Sequence, residues 1–308
     1  MKIAVILLLT FFAVSSACAK SDVGLNLFTF FGERSAEITH DDPLLLMLTL
    51  ENSGAAVIQQ ENRDKQRVLS QFKTSAAYND LGDEERQRLE QDYATQDVPE
   101  ILIGSDAVAV TDLIRFAIRN SAGETVELEP TPLASNIINK GPIELILGDS
   151  QFYQFAVTAE ELKDLPSDAY FIAAVLDTSE QSDMWQGMAF SNTVRIDLTG
   201  EHSDPDWSTS DQRAMLFSTY LIENLNYVEA EGHARSWLEF HPDSVDGWAQ
   251  LGHALAGQDK DDEALEALNS ALTKFRNKFG DNPAELPLEV LDQIDAIEAK
   301  VQIEESDS

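Results

Sequence analysis

The segment Asp211 to Lys278 lines up with itself at an offset of 34 residues. At that shift Phe217 falls on Leu251, Leu221 on Leu255, Ala230 on Ala264, Ala234 on Leu268 and Trp237 on Ala271. Every match is apolar on apolar. In the second copy Trp248, Leu251, Gly252 and Leu255 share one helical face, and Gly252 lets a neighbouring helix approach closely. Ala264, Leu268 and Ala271 form the opposing face of the next helix. This pattern constrains the fold strongly, because each repeated hairpin buries its faces only against its neighbours.

A period of about 34 residues carrying W-x-x-L-G and then A-x-x-x-L resembles the tetratricopeptide repeat (TPR) family. Val245 to Lys278 matches well. Asp211 to Ser244 is degenerate, with Ala214 for the Trp and Ser218 for the Gly. It keeps the closing proline as Pro242, where the second copy has Arg276. Pro242 should end its helix at the junction, because proline has no N–H to donate and clashes with the preceding turn. The resemblance implies that the first helix of each hairpin lines a concave, partner-binding face. Carried over residue by residue, that face holds Gln212, Met215, Thr219 and Ile222, then Asp246, Ala249, His253 and Ala256. Relatives that clamp a C-terminal carboxylate use Lys and Arg there. None stands at these positions, so that mode is not expected. The alternative is that these residues are buried against the rest of the chain. Beyond the repeats, Asp281-Asn-Pro283 breaks the chain and Pro287 opens a last helix. Val290, Ile294, Ile297 and Val301 form its stripe, as a capping helix needs, and Glu304 to Ser308 reads as a frayed tail.

The chain begins with Lys2, an apolar run from Ile3 to Val14 broken only by Thr10, and small residues up to Ala19. This reads as a secretory signal peptide over residues 1–19, with Ala17 and Ala19 at the cut. The alternative is a lipoprotein acylated at Cys18, the one cysteine, although Ser15 stands where that signal wants a large apolar residue. Cleavage after Ala19 would leave no thiol, so no disulfide, cysteine metal site or thiol nucleophile is expected in the mature chain. A formal net charge of −34 opposes nucleic acid and anionic membranes and favours basic partners or cations. The plainer reading is a solvated acidic surface.

Between residues 20 and 201 the apolar pattern changes to period two. Strands are expected at Leu25–Phe31, Leu44–Leu50, Ile114–Ile118, Val126–Leu128, Ile143–Leu147, Tyr153–Val157, Tyr170–Leu176 and Val194–Leu198. Asn120 to Gly123 should close one hairpin and Gly148-Asp149-Ser150 another. The set suggests an antiparallel sandwich. Leu165-Pro-Ser-Asp-Ala-Tyr170 looks like the L-P-x-G-x-Y approach of bacterial immunoglobulin-like domains, with Asp168 for the Gly. The resemblance implies that the Tyr170 hydroxyl bonds back to upstream backbone. A polar stretch over about residues 55–97 reads as a helical insertion, with disorder as the alternative.

The fold expected is therefore multidomain β plus α. An immunoglobulin-like β-sandwich (20–201) with its insertion leads through a linker (202–210) to a TPR-like unit with a capping helix (211–303). No nucleophile elbow, zinc, phosphate-loop or dinucleotide motif occurs. His202 with Asp204 and Asp206 reads as linker, not metal site, and Asp259 to Glu263 as a turn plus helix N-cap. Catalytic, cofactor and metal residues are not expected, nor a transmembrane segment in the mature chain. The function expected is non-catalytic protein binding or scaffolding after export to the periplasm or outside the cell. The alternatives are an adhesin or carbohydrate-binding module acting through the sandwich, favoured by aromatics clustered on one sheet face, and an enzyme with a site between domains. Two repeats are too few to bury their own faces. The N-terminal helix should therefore pack on the sandwich or its insertion, or else on a second copy.

Overall fold

A computed structural model describes residues 23–73, 84, 86–87, 101–138, 141–146, 150–181, 184–204, 206–280 and 288–306. The signal segment with Cys18 and most of the expected insertion lie outside them.

The β region holds β1 (Val23–Thr29), β2 (Ser35–Thr39), β3 (Leu44–Asn52), β4 (Ile101–Ile103), β5 (Ile114–Arg119), β6 (Thr131–Pro132), β7 (Ile143–Leu145), β8 (Ser150–Val157), β9 (Asp168–Asp177) and β10 (Met188–Thr199). One sheet runs β1-β3-β8-β6 and a second β2-β10-β9-β5, while β4 and β7 pair separately. Both large sheets give their inward residues to one core. Leu27, Leu46, Leu48 and Phe155 from the first meet Ile118, Ile172, Leu176 and Val194 from the second. Phe116 and Phe155 touch edge to face across the gap, with centroids 4.9 Å apart.

Two expectations are corrected here. The strands are not all antiparallel, because β2 pairs with β10 in parallel. The stretch Ile143 to Val157 is not a hairpin, because β7 pairs with β4 while β8 joins β3 and β6. Alternation gives a strand's inner face but not its neighbour. The other hairpin forms in reduced length, with Val126 N–H donating to Ile118 O at 3.0 Å. Tyr170 behaves as its approach sequence implies: it is buried, and its hydroxyl donates to Pro166 O at 2.7 Å. Asp168, in the glycine's place, accepts from Ser121 N–H at 3.2 Å and Ala169 N–H at 2.8 Å. A bulge in β10 turns Asn192 toward β1, where its side-chain amide exchanges two bonds with the Leu27 backbone at 2.7 and 2.8 Å.

A helix, α1 (Ser53–Lys73), follows β3 directly, and residues 84, 86 and 87 are also helical. Short helices α2 (Ala134–Ile138) and α3 (Ala159–Lys163) were not foreseen. The second carries a full capping box from Thr158 and Glu161.

The helical region comprises α4 (Asp211–Glu223), α5 (Tyr227–Phe240), α6 (Val245–Ala256), α7 (Asp261–Phe279) and α8 (Leu288–Ser306). The starts of α4 and α6, and of α5 and α7, stand 34 residues apart. Other local detail repeats with them. Ser210 and Ser244 each accept from the N–H three residues on, at 3.1 Å. Leu225 and Asp259 both take left-handed backbone, at φ 59° and 58°. Ala230 and Ala264 are fully buried. Helix α5 ends at Phe240, one residue before the His241–Pro242 pair. Gly252 faces Leu268 so closely that an added Cβ would stand 2.5 Å from Leu268 Cγ. Val290, Ile294 and Ile297 of α8 are buried in the same core. The helix continues to Ser306, past the expected tail boundary. The side chain of Val301, and Pro287 itself, lie outside the described residues.

Trp248 is only half-buried, not enclosed, and its indole N–H donates to Pro242 O at 2.9 Å. The large apolar position sits at the rim of the helical core.

Candidate functional site

The first helix of the array rests on the β region. Leu216 of α4 is enclosed by Leu45 of β3, Ala156 of β8 and Leu133, with Phe30 and Tyr220 at the margin. This explains an oddity of the sequence. Leu44-Leu45-Leu46 is apolar without alternation because Leu44 and Leu46 enter the sheet core while Leu45 faces the helix. Beside this apolar contact Arg213 Nε donates to Asp42 Oδ1 at 2.7 Å. Asp42 is fully buried, and its other oxygen accepts from the N–H and hydroxyl of Thr39 at 3.1 and 2.9 Å. The guanidinium also lies over Phe217, 4.6 Å from its centroid, and Phe217 stacks on His233 at 5.9 Å. Burial, then the charge of Arg213, lowers the His233 pKa, with Glu229 opposing.

Ser218 stands where the better repeat has Gly252. Its buried hydroxyl lies 2.9 Å from His233 Nδ1. Ser218 is buried and His233 half-buried, so this contact links α4 to α5.

The residues assigned to the concave face separate into groups. Gln212 is exposed and turned toward the β region. Met215 and Thr219 face α6, where Met215 shares a small crevice with Asp246 and the Gln250 amide donates to Thr219 Oγ1 at 3.4 Å. Ala249 and Ala256 pack against the core closed by α8. Ile222 and His253 are half-buried, and Asp246 is exposed. The chain therefore does not present them as one open row.

A cleft of about 270 Å³ lies where α4 meets the β region. Ser35 to Ile38 of β2 line it. Phe30, Leu45 and Leu216 give it apolar walls, and Glu33, Asp204 and Gln212 its polar margin. Phe30 and Phe31 meet edge to face at 5.0 Å. The linker forms one bank of this cleft: Ser203 donates to Glu37 through its N–H at 2.6 Å and through its hydroxyl. Those bonds hold the Glu37 carboxyl below the usual carboxylate range, the hydroxyl bond contributing most. The sequence pointed to the linker only as a spacer; β2 itself was missed because Ser-Ala-Glu-Ile-Thr has a single large apolar residue.

The two acidic runs weighed as metal ligands fold otherwise. Asp204 N–H donates to His202 Nδ1 at 3.0 Å and Asp206 N–H to Asp204 Oδ1 at 2.9 Å, so that run is a chain of turns. Asp259 and Asp261 hold Lys300 of α8 at 2.7 and 2.9 Å. The run thus forms a turn and helix start, with Lys260 as the cap residue of α7; it makes no side-chain cap bond and instead reaches Glu231 at 2.7 Å. Among the described residues no group of three or more His, Cys, Asp or Glu is placed to hold a metal, and no described helix is long and apolar enough to cross a membrane.

On the second sheet Phe171 of β9 and Met188 and Phe190 of β10 are exposed, with Phe190 opposite Val175 and Met188 opposite Asp177, four and six residues along β9 from Phe171. Arg119 and Arg195 flank Phe171 in register.

No family model matches this chain, and no curated protein matches it.

Proposed function

We infer that this chain is an exported, non-catalytic protein that binds or scaffolds another protein through TPR-like hairpins docked on an immunoglobulin-like sandwich. The observation that carries the reading is the repetition itself. Helix starts, serine caps, left-handed turn residues and buried alanines all recur at 34 residues, and the better copy adds the glycine packed on Leu268. Such arrays derive their function from a solvent-facing surface held rigid by neighbour packing. Around α4 and α6 that surface includes Ile222, Asp246 and His253. Acidic character over most of the chain suits a basic partner. Export rests on the basic start, apolar run and Ala-x-Ala cut at residues 1–19.

The test is a pull-down from cell-envelope extract with the mature full chain, in parallel with Ile222→Glu and Asp246→Lys. A partner lost with these variants but kept by Phe171→Ala supports the helical surface. A partner lost only with Phe171→Ala and Phe190→Ala supports the second reading, an adhesin or carbohydrate-binding sandwich, for which the exposed Phe171, Met188 and Phe190 are the candidate contacts.

A further inference from the structure

We propose that the cleft between β2 and α4 is a docking site for an extended, cationic peptide, which adds as a fifth strand to the free edge of β2.

Strand β2 ends its sheet, with β10 on one side and no described strand on the other. The phase of its ladder is fixed by Arg195 N–H donating to Arg34 O at 2.9 Å and by the pairing of Arg195 with Ser35. In a parallel ladder that phase aims Ala36 and Ile38 at β10 and turns the N–H and C=O of Ser35, Glu37 and Thr39 outward. Thr39 is satisfied locally, its N–H by Asp42 Oδ2 and its C=O by Asp42 N–H, both at 3.1 Å. Among the described residues nothing hydrogen-bonds to the outward backbone groups of Ser35 and Glu37. Edge strands in natural proteins are commonly guarded by lysine, proline or a bulge. Ser35 to Thr39 contains no lysine, proline or bulge; it is a short strand whose one charge, Glu37, is engaged by Ser203 of the linker.

The walls specify the occupant further. A strand laid on this edge alternates its side chains between two faces. One face meets Phe30, Leu45 and Leu216 and takes an apolar side chain. The other meets Glu37, Asp204 and the exposed Glu33 and takes a lysine or arginine. Arg34 is the cation of the same turn, but it is exposed at the end of the strand. The partner is therefore a segment alternating basic and apolar residues, bound through main-chain pairing and read through these two faces. A second copy of this chain fits worse, because each copy carries a net charge of −34.

The experiment is a fluorescence-anisotropy titration of the mature full chain against a labelled synthetic peptide alternating Lys and Val. Two comparison peptides have Glu for each Lys, or alternate backbone nitrogens methylated. Ser35→Pro removes one outward N–H without touching the β10 ladder, and Gln212→Arg adds a positive charge at the rim. The proposal expects one peptide bound per chain and no measurable binding of either comparison peptide. It expects binding weakened about tenfold by Ser35→Pro, the effect of one lost hydrogen bond at the strong end of its range. Gln212→Arg should weaken it also, with the melting transition of both variants unchanged. Absence of binding to the full chain overturns it. So does binding left unchanged by backbone methylation or by Ser35→Pro, which would be charge attraction alone, and so does self-association that displaces the peptide. Failure here leaves the helical-surface reading intact, since that is decided by Ile222 and Asp246.

Discussion

Gly252→Ala should destabilise this protein, whereas Gly232→Ala should stabilise it. Both glycines lie inside helices, and alanine is the better helix former by about 1 kcal/mol. Space decides between them. An added Cβ at Gly232 meets nothing within 4 Å. At Gly252 it would stand 2.5 and 2.6 Å from Leu268 Cγ and Cδ2 and 3.3 Å from Ala264 O. Leu268 cannot swing away, because it and Ala264 are both fully buried. Helices α6 and α7 must separate, which costs about 2–3 kcal/mol at the upper end of overpacking. After the propensity gain the net loss is about 1–2 kcal/mol. The two variants should thus differ by about 2–3 kcal/mol with opposite signs. Urea unfolding followed by circular dichroism reads both. Leu268→Ala alone should cost about 2–5 kcal/mol, and its cavity should admit the new methyl. The double variant should then be less damaged than the sum by about 1 kcal/mol or more. If Gly252→Ala stabilises as Gly232→Ala does, or if the double variant is strictly additive, the close approach of α6 and α7 does not exist.

Leu216→Ala should cost about 2–5 kcal/mol, because it empties the junction between α4 and the first sheet; a loss below about 1 kcal/mol in urea unfolding would mean that junction is not load-sharing. Tyr170→Phe should cost about 1 kcal/mol by removing the bond to Pro166 O, and unchanged stability would remove the corner from the account. Lys260, Gln258 and Arg235 hold the Glu231 carboxyl down at about 2, against an ordinary 4.5, the Lys260 bond contributing most. A lowered carboxylate adds stability above its ordinary range and loses it as pH falls from 4.5 toward 2. Solvent screening keeps that contribution to about 1 kcal/mol. Glu231→Gln should therefore flatten the acid limb of the unfolding free energy and leave its pH dependence above about 6 unchanged.

The helical half was legible because its information is local. A 34-residue shift exposes the matched apolar positions directly, and Pro242 marks its own boundary. Trp248 shows that a large apolar residue on the right helical face can still sit at the rim, where its indole N–H finds Pro242 O. The sheets were less legible. Alternation at Ile143 to Leu145 and at Tyr153 to Val157 located strands, but pairing depends on contacts far along the chain, such as Asn52 Nδ2 donating to Leu145 O at 3.1 Å. Strand β2 carried almost no signal, yet it borders the cleft.

Two hairpins with a cap on one side leave the opposite side uncovered. The cap is α8, whose Val290, Ile294 and Ile297 close the C-terminal side. On the other side the first sheet takes the place a preceding repeat would occupy. Leu45 and Ala156 are apolar on a strand face that would otherwise meet water, and Leu216 fills the space between them. The buried Asp42 fixes the arrangement, since Arg213 is the guanidinium that meets it and stands one turn before Leu216 on the same helix. A carboxylate so enclosed is costly without its partner. That ion pair, beside the apolar contact of Leu216, ties α4 to the turn after β2. It thereby keeps the edge of β2 and the wall of α4 facing one another across the cleft.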